Sequence, residues 1–349
     1  MKTLMKTLLK PLFLALFSAA TLPTQSAHIQ TSLPSDTIPA TSPSTSFCKA
    51  IGGPASEAGF SLIQTSDGGY VITGSTSSFG AGETDIYVVK LDANGNLQWT
   101  KTIGGGGGSS LIQTSDGGYA IAGSTYSFGA GAWDVYVVKL DANGNLQWTK
   151  TIGGEKDDYG SSLIQTSDGG YAIAGYTYSF GAGYADVYVI KLDAHGNLQW
   201  TRTVGGPESE EGNSLIQTSD GGYAIAGYTT SFGAGGADVY VVKLDAKGNL
   251  QWTKTIGGKS ADGGRSLIQT SDGGYAIAGS TTSFGAGEWD VYVVKLDRNG
   301  DACCAVSQTS QVGSGGKLGS PTSSIRRGGK LTSPTSRISS GGTLSNHCP

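Results

Sequence analysis

Acidic side chains recur at three fixed places in this sequence, and each place is occupied five times. One acid lies in a Gly-rich turn, one opens an apolar run and one ends that run. Catalysis by carboxylates needs one or two particular groups, so an acid that recurs five times is interpreted as structural. The three sets are Asp67, Asp116, Asp168, Asp220 and Asp272; Asp85, Asp134, Asp186, Asp238 and Asp290; and Asp92, Asp141, Asp193, Asp245 and Asp297.

Other acids cluster in two adjacent connections and depart from the repeated pattern. A glycoside hydrolase would use two such carboxylates, one as general acid and one as base or nucleophile. No neighbouring sequence feature would raise the pKa of any of them, so hydrolysis is the alternative function. These catalytic candidates are Glu155, Asp157, Asp158, Glu208, Glu210 and Glu211.

Histidine is almost absent, with His28, His195 and His347 far apart in the chain. We find no Ser-His-Asp set and no metal-binding motif. Gly-rich runs such as 104–108 do not lead into a helical pattern, so a phosphate site is not expected. The sequence therefore predicts no cofactor and no metal.

Aromatic residues supply the better candidates for binding. Trp133, Tyr184 and Trp289 lie in connections that vary between repeats, and the equivalents of the tryptophans are Thr84, Ala185 and Ala237. Tyrosines stand just before these connections. Exposed aromatic rings on a rigid rim suit stacking on sugars or contact with a protein. The alternative for the tyrosines is packing between repeats; they are Tyr126, Tyr176, Tyr178 and Tyr228.

These residues belong to a repeated unit of about 52 residues. The phrase LIQTSDGGY begins at Leu62 and recurs four times, with spacings of 49, 52, 52 and 52. Each unit contains four strand-like runs, A to D, and Asp-Gly-Gly or Asn-Gly turns separate A from B and C from D. Four antiparallel strands repeated in tandem are typical of a propeller blade. In this order the D–A and B–C connections share one face, which carries most of the variation.

The two ends of the array complement each other. The fifth unit lacks strand D, and residues 47–53 match the missing strand. We therefore predict an all-β, five-bladed β-propeller of four-stranded antiparallel blades, closed by the N-terminal strand; a β-solenoid is the structural alternative. Cys48 would lie beside Cys303 and Cys304 at this closure, and a disulfide is expected there. Cys348 would pair with the remaining thiol, although sequence does not select among the three connectivities.

The ends of the chain differ from the repeats. Residues 1–27 have a basic start, an apolar stretch and small residues, which predicts a signal peptide and a secreted or cell-surface protein without a lipoprotein cysteine. Residues 28–46 form a Ser/Thr/Pro linker, 47–304 the propeller, and 305–349 a basic tail with a 13-residue period. We expect the tail to be loosely ordered, with short stacked strands as the alternative. No later segment is long and apolar enough to span a membrane.

Charge narrows the range of partners. Three lysines lie in the signal region and five basic residues lie in the tail, so the remainder has 15 basic against 27 acidic residues. Nucleic acid is therefore not expected as a partner.

The phrases SLIQTSDGGYAIAG and VYVVKLDANGNLQWTKTIGG resemble those of secreted bacterial and archaeal repeat proteins, described as cell-surface proteins or lipoproteins, some with an endoglucanase-like label. LDANGNLQW is also similar to the tryptophan-docking motif of quinoprotein propellers, which implies a propeller fold and not a quinone cofactor. We interpret the chain as a non-catalytic binding or adhesion module. Its expected partner is a glycan or cell-envelope polymer, with a protein as a further candidate.

Overall fold

The computed structural model describes residues 46–80, 83–285 and 287–302, together with five short strands between 311 and 339. All of these belong to one compact unit, Thr45–Pro349. The predicted signal peptide and nearly all of the predicted linker lie outside the described residues, as do Cys303, Cys304 and Cys348.

The described chain is all-β. A short strand, β1 (Ala50–Gly52), precedes the repeats. Blade one contains β2 (Glu57–Gln64), β3 (Tyr70–Thr76), β4 (Asp85–Leu91) and β5 (Leu97–Ile103). Blade two contains β6 (Gly106–Gln113), β7 (Tyr119–Thr125), β8 (Asp134–Leu140) and β9 (Leu146–Gly153). Blade three contains β10 (Asp158–Gln165), β11 (Tyr171–Thr177), β12 (Asp186–Leu192) and β13 (Leu198–Gly205).

The last two blades follow the same pattern. Blade four contains β14 (Glu210–Gln217), β15 (Tyr223–Thr229), β16 (Asp238–Leu244) and β17 (Leu250–Gly257). Blade five contains β18 (Asp262–Gln269), β19 (Tyr275–Thr281) and β20 (Asp290–Leu296). An isolated bridge between Leu296 and Ala302 marks the point where its fourth strand would begin.

Consecutive strands of each blade pair antiparallel, so strands A to D lie side by side in sequence order. Tight turns make this order possible: Gly68 in an A–B turn has φ +79° and Gly95 in a C–D turn has φ +77°. Residues with a side chain rarely adopt such angles. The predicted four-stranded antiparallel blade is confirmed.

The hydrophobic core lies between neighbouring blades. Val135 and Val137 of strand C pack with Ile173 and Tyr188 of the next blade. The tryptophan of each strand D also packs against the next blade, as Trp148 does on Tyr171 with ring centroids 5.6 Å apart. Each blade therefore stabilises its neighbour through both faces of its sheet.

The two ends of the array expose the equivalent surfaces. Val291 and Val293 of blade five are 82% and 67% exposed, whereas their counterparts Val135 and Val137 are buried. Leu62 of blade one is 62% exposed, whereas the equivalent leucines of the other blades are buried. The described residues thus contain four packed blade junctions.

The N-terminal segment occupies one half of the predicted closure. Phe47 packs on Tyr70 with ring centroids 5.7 Å apart and lies against Gly95, as Trp99 does on Tyr119 and Gly144 one blade later. However, β1 pairs with a strand of the tail, and no pairing between β1 and β20 is found among the described residues. Closure of the ring by residues 47–53 stays a prediction.

The tail contributes a strand to the outer edge of successive blades. These strands, β21 (Gln311–Gly313), β22 (Lys317–Gly319), β23 (Ser324–Arg326), β24 (Leu331–Thr332) and β25 (Arg337–Ser339), pair with β17, β13, β9, β5 and β1 respectively. These five segments are strands, as the alternative expectation for the tail has it; the other tail residues lie outside the described part of the chain. Among the described residues, no helix is long and apolar enough to cross a membrane.

Candidate functional site

The acids of the A–B turns have a structural role. Asp168 contacts the ammonium of Lys191, which lies on strand C with only 3% of its side chain exposed, at 2.9 Å. The same carboxylate accepts hydrogen bonds from Thr166 Oγ1 at 2.5 Å and from the Gly170 N–H at 3.0 Å. Such a carboxylate fixes the turn and neutralises a buried cation. All five blades contain this ion pair.

The acids that end strand C cap the next turn. Asp193 accepts hydrogen bonds from the N–H groups of His195 and Asn197, at 2.9 and 2.8 Å. His195 is exposed in this turn. Burial acts to raise the pKa of Asp193, but the hydrogen bonds from Asn197 and His195 together outweigh it and hold the pKa below its usual range. The residue is a turn former, as the sequence predicted.

The six catalytic candidates lie in different environments. Glu155 and Glu208 are exposed, and Asp157 is half-buried. Asp158 and Glu210 are fully buried at the starts of different strands A, where each accepts the N–H of a glycine in the preceding connection. Their position is shared with Glu57 and Asp262, so the interpretation that they depart from the repeat is wrong.

Glu211 has a different environment. It is half-buried, and burial raises the pKa of its carboxyl above the usual range. The Tyr228 hydroxyl donates a hydrogen bond to it and Arg265 adds an opposing electrostatic effect. A single carboxylate between a phenol and a guanidinium is suited to polar contact with a ligand.

A cleft on the variable face lies beside a D–A connection that is three residues shorter than its counterparts. Two residues separate Ile103 from Gly106 in the D–A connection into blade two, whereas five residues separate the equivalent Ile152 from Asp158 in the next blade. This cleft has a volume of about 640 Å³ and lies over blades one to three. Small residues line one part of it, and Phe60, Tyr126, Trp133 and Tyr159 line another.

The aromatic residues beside this cleft form a continuous series that we call the aromatic arc: Tyr126, Trp133, Tyr159, Tyr176, Tyr178 and Tyr184. The centroid distances between successive rings are 5.0, 6.0, 4.9, 5.9 and 5.1 Å. Trp133 stacks on Tyr159 and Tyr159 on Tyr176, with interplanar angles of 27° and 26°. Such mutual packing holds the rings in fixed positions.

Hydrogen bonds fix the end of the aromatic arc that lies at the cleft. The Tyr126 hydroxyl donates to the Thr84 carbonyl at 3.0 Å and accepts from its N–H at 2.9 Å. The Asp158 N–H donates to the Trp133 carbonyl at 2.7 Å. Burial raises the pKa of Tyr159 to about 12, so its hydroxyl stays protonated at neutral pH. The cleft is therefore rigid on its aromatic side.

The three predicted binding aromatics are placed differently. Tyr184 is 68% exposed at one end of the arc, and Trp133 is half-buried within it. Trp289 is 62% exposed on blade five and belongs to neither the arc nor the cleft lining. Cys48 is exposed and has no disulfide partner among the described residues, and Cys303, Cys304 and Cys348 lie outside them.

Sequence reasoning missed Phe60 and Glu83 in the cleft lining. The signal that could have revealed the cleft is the spacing of 49 residues between the first two repeats. No group of three or more His, Cys, Asp or Glu side chains in the described part of the chain is arranged to hold a metal ion.

The fold and its repeats define a propeller-repeat protein. A family model described as "Domain of unknown function (DUF5122) beta-propeller" matches residues 65–97 and 114–146. The chain is also similar to "Regulatory protein FlaEY" of Caulobacter vibrioides, with 29% identity over 140 residues, which covers 34% of this chain and 15% of that protein. The similarity spans well under two thirds of that relative's length.

Proposed function

We propose that the protein is a secreted, non-catalytic module that binds a glycan in the cleft over blades one to three. The observation that supports this proposal is the aromatic arc, whose rings Tyr126, Trp133 and Tyr159 line the cleft. Aromatic faces bury the C–H surfaces of sugar rings, while polar groups at the rim orient hydroxyls. Glu83 and the serines of the cleft supply such groups.

Charge favours a neutral glycan over an anionic polymer. Acids outnumber bases in the chain between the signal region and the tail, and Glu83 is exposed at the cleft. A polyanion would be repelled by this surface, particularly at low ionic strength. The basic tail is the part of the chain suited to anionic cell-envelope polymers, and binding through it would weaken as salt increases.

The repeats themselves supply substitutions for testing the cleft. Trp133→Ala introduces the residue present at this position in blades three and four, and Tyr159→Gly introduces that of blades two and five. Each change should weaken glycan binding without unfolding the blade. Tyr159→Phe is the matched control because it keeps the ring, and His195→Ala alters a turn on the opposite face.

A glycan-array screen with the wild-type protein and these variants tests the proposal. We expect one class of neutral glycan to bind the wild type and both controls, and to lose affinity for the two arc variants. Equal binding by all forms would exclude the cleft as the site. A parallel assay for reducing ends tests the alternative, because release of sugar would indicate a glycoside hydrolase.

We also propose that the five blades close into a ring through residues 47–53. Phe47 already occupies the tryptophan position on blade one, and Val291 and Val293 of blade five expose the surface that such closure would cover. Closure would bring Cys48 close to the residues that follow Ala302. Peptide mapping without reductant should find Cys48 joined to Cys303 or Cys304, whereas a free Cys48 in the secreted protein would contradict this disulfide.

Secretion is part of the same proposal and has a separate test. The basic and apolar start of residues 1–27 supports it. N-terminal sequencing of the protein recovered from culture medium should find a chain that begins shortly after residue 20 or 27. Retention of Met1 in the recovered protein would contradict it.

A further inference from the structure

Two buried carboxylates meet at the junction between blades four and five. Asp238 opens strand C of blade four and Asp262 opens strand A of blade five, and each is only 1% exposed. A β-carbon built on Gly257 would lie 2.0 Å from Asp238 Oδ1 and 2.7 Å from Asp262 Oδ2. The two oxygens are therefore no farther apart than the sum of these distances.

The same arrangement recurs at two other junctions. At Gly153 the corresponding distances are 2.0 Å to Asp134 Oδ1 and 2.6 Å to Asp158 Oδ2. At Gly205 they are 2.2 Å to Asp186 Oδ1 and 2.5 Å to Glu210 Oε2. We call these three sites the carboxylate pairs. The arrangement therefore belongs to the repeated junction and is not confined to one loop.

The negative charge of the pair at blades four and five is not balanced. Asp238 Oδ1 and Asp262 Oδ1 have no hydrogen-bond partner among the described residues, whereas Asp262 Oδ2, the oxygen next to Asp238, accepts hydrogen bonds from the Gly258 N–H and the Ser283 hydroxyl, both at 2.7 Å. None of the ion pairs between described residues involves Asp238 or Asp262. Burial, with a smaller repulsion from Asp262, raises the pKa of Asp238 to about 6. Two adjacent buried carboxylates are costly unless a cation joins them.

Blade two provides a natural contrast. Gly106 replaces the acid that would open its strand A, so the junction between blades one and two has only Asp85. There, Asp85 Oδ1 accepts a hydrogen bond from the Gly105 N–H. At the other three junctions the equivalent oxygen lies next to a second carboxylate. At the junction between blades one and two that carboxylate is missing, and a backbone N–H bonds the oxygen instead.

We propose that each of the three carboxylate pairs binds a calcium ion. Carboxylates and backbone carbonyls are the oxygen ligands that Ca²⁺ takes in proteins. The adjoining loop offers backbone carbonyls: those of Gly258 and Lys259 lie 2.5 and 2.3 Å from a β-carbon built on Gly235, three residues before Asp238. With two carboxylates per site, water and carbonyls complete the shell, and Kd is expected at about 10⁻⁴–10⁻³ M, as in extracellular modules.

Removing one pair should remove one ion. The experiment is equilibrium dialysis of the full-length protein against CaCl₂, which measures the number of calcium ions bound per chain. The variant Asp238→Asn/Asp262→Asn neutralises the pair at blades four and five, and Asp85→Asn is the control at the junction without a pair. We expect the first variant to bind one ion fewer than the wild type and the control to bind the wild-type number.

Three equivalent junctions keep the test decisive. If the Asp238→Asn/Asp262→Asn variant does not fold, Asp186→Asn/Glu210→Gln provides the same comparison at the junction of blades three and four. Unchanged stoichiometry in a folded pair variant, or no calcium bound by the wild type at millimolar concentrations, would overturn the proposal. Glycan binding is measured separately, so failure of this proposal leaves the proposed function testable.

Discussion

Replacing Asp168 with asparagine tests the role of the ion pairs that join the A–B turn to strand C. The substitution keeps the size of the side chain and removes its charge. Among the described residues, the buried Lys191 ammonium then keeps its hydrogen bond to the Leu192 carbonyl, 3.0 Å away, but loses its counter-ion. Lys191 has 3% of its side chain exposed, whereas Asp168 has 57%. The cost therefore falls mainly on the lysine.

The structure sets the size of the effect. Burial acts to raise the pKa of Asp168, but its contacts outweigh this effect. The hydrogen bonds from Thr166 and Lys191 lower the pKa from 3.8 to about 2. A shift of this size corresponds to about 2.5 kcal/mol. Because more than half of the carboxylate side chain is exposed, solvent screening reduces the expected loss to about 1–2 kcal/mol.

Urea unfolding followed by tryptophan fluorescence measures this loss. Lys191→Met removes the cation and should cost less than about 1 kcal/mol, because Thr166 and Gly170 still bond Asp168. The control is Asp301→Asn, which breaks an exposed pair with Lys254 and should cost less than about 0.5 kcal/mol. Equal losses for Asp168→Asn and Asp301→Asn would refute the reasoning.

Three other predictions follow from the blades. The pKa of Asp168 is lowered in the folded state, so the stability that this carboxylate contributes is present above about pH 4 and is lost as pH falls towards 2. When the free energy of unfolding is measured over this pH range, Asp168→Asn should lose less stability than the wild type. Trp148→Ala removes the ring that packs on Tyr171 and should lower the free energy of unfolding by about 3–5 kcal/mol, measured by urea unfolding; a loss below about 1 kcal/mol would contradict the packing. Gly205→Ala places a β-carbon 2.2 Å from Asp186 Oδ1 and should lower the melting temperature, whereas the same change at Gly107, which has open space, should not.

The blade could be predicted from the sequence because its determinants are local. Glycines such as Gly68 and Gly95 fix the turns, and the strands between them are long enough to pair directly. The number of repeats in the sequence then predicts the number of blades. Local pattern also identified the turn acids as structural, because Asp168 bonds groups only two residues away.

The site depends on contacts between blades, and these are not encoded by local spacing. Trp133 and Tyr159 stack across a blade junction, and the cleft beside them is lined by residues of three different blades. The carboxylate pairs likewise join acids of different blades, such as Asp186 and Glu210. The sequence offered tail strands only as an alternative, because each is only two or three residues long and gains its partner from a distant blade edge.

The central claim is that the aromatic arc forms a glycan-binding site, and the dissociation constant of a glycan selected on the array tests it most directly. Isothermal titration of that glycan should give a Kd for Trp133→Ala at least about tenfold weaker than for the wild type, since loss of a central aromatic contact costs about 1.4 kcal/mol or more. The melting temperature should remain close to that of the wild type, because blades three and four carry alanine at this position. An unchanged Kd for Trp133→Ala would contradict the account.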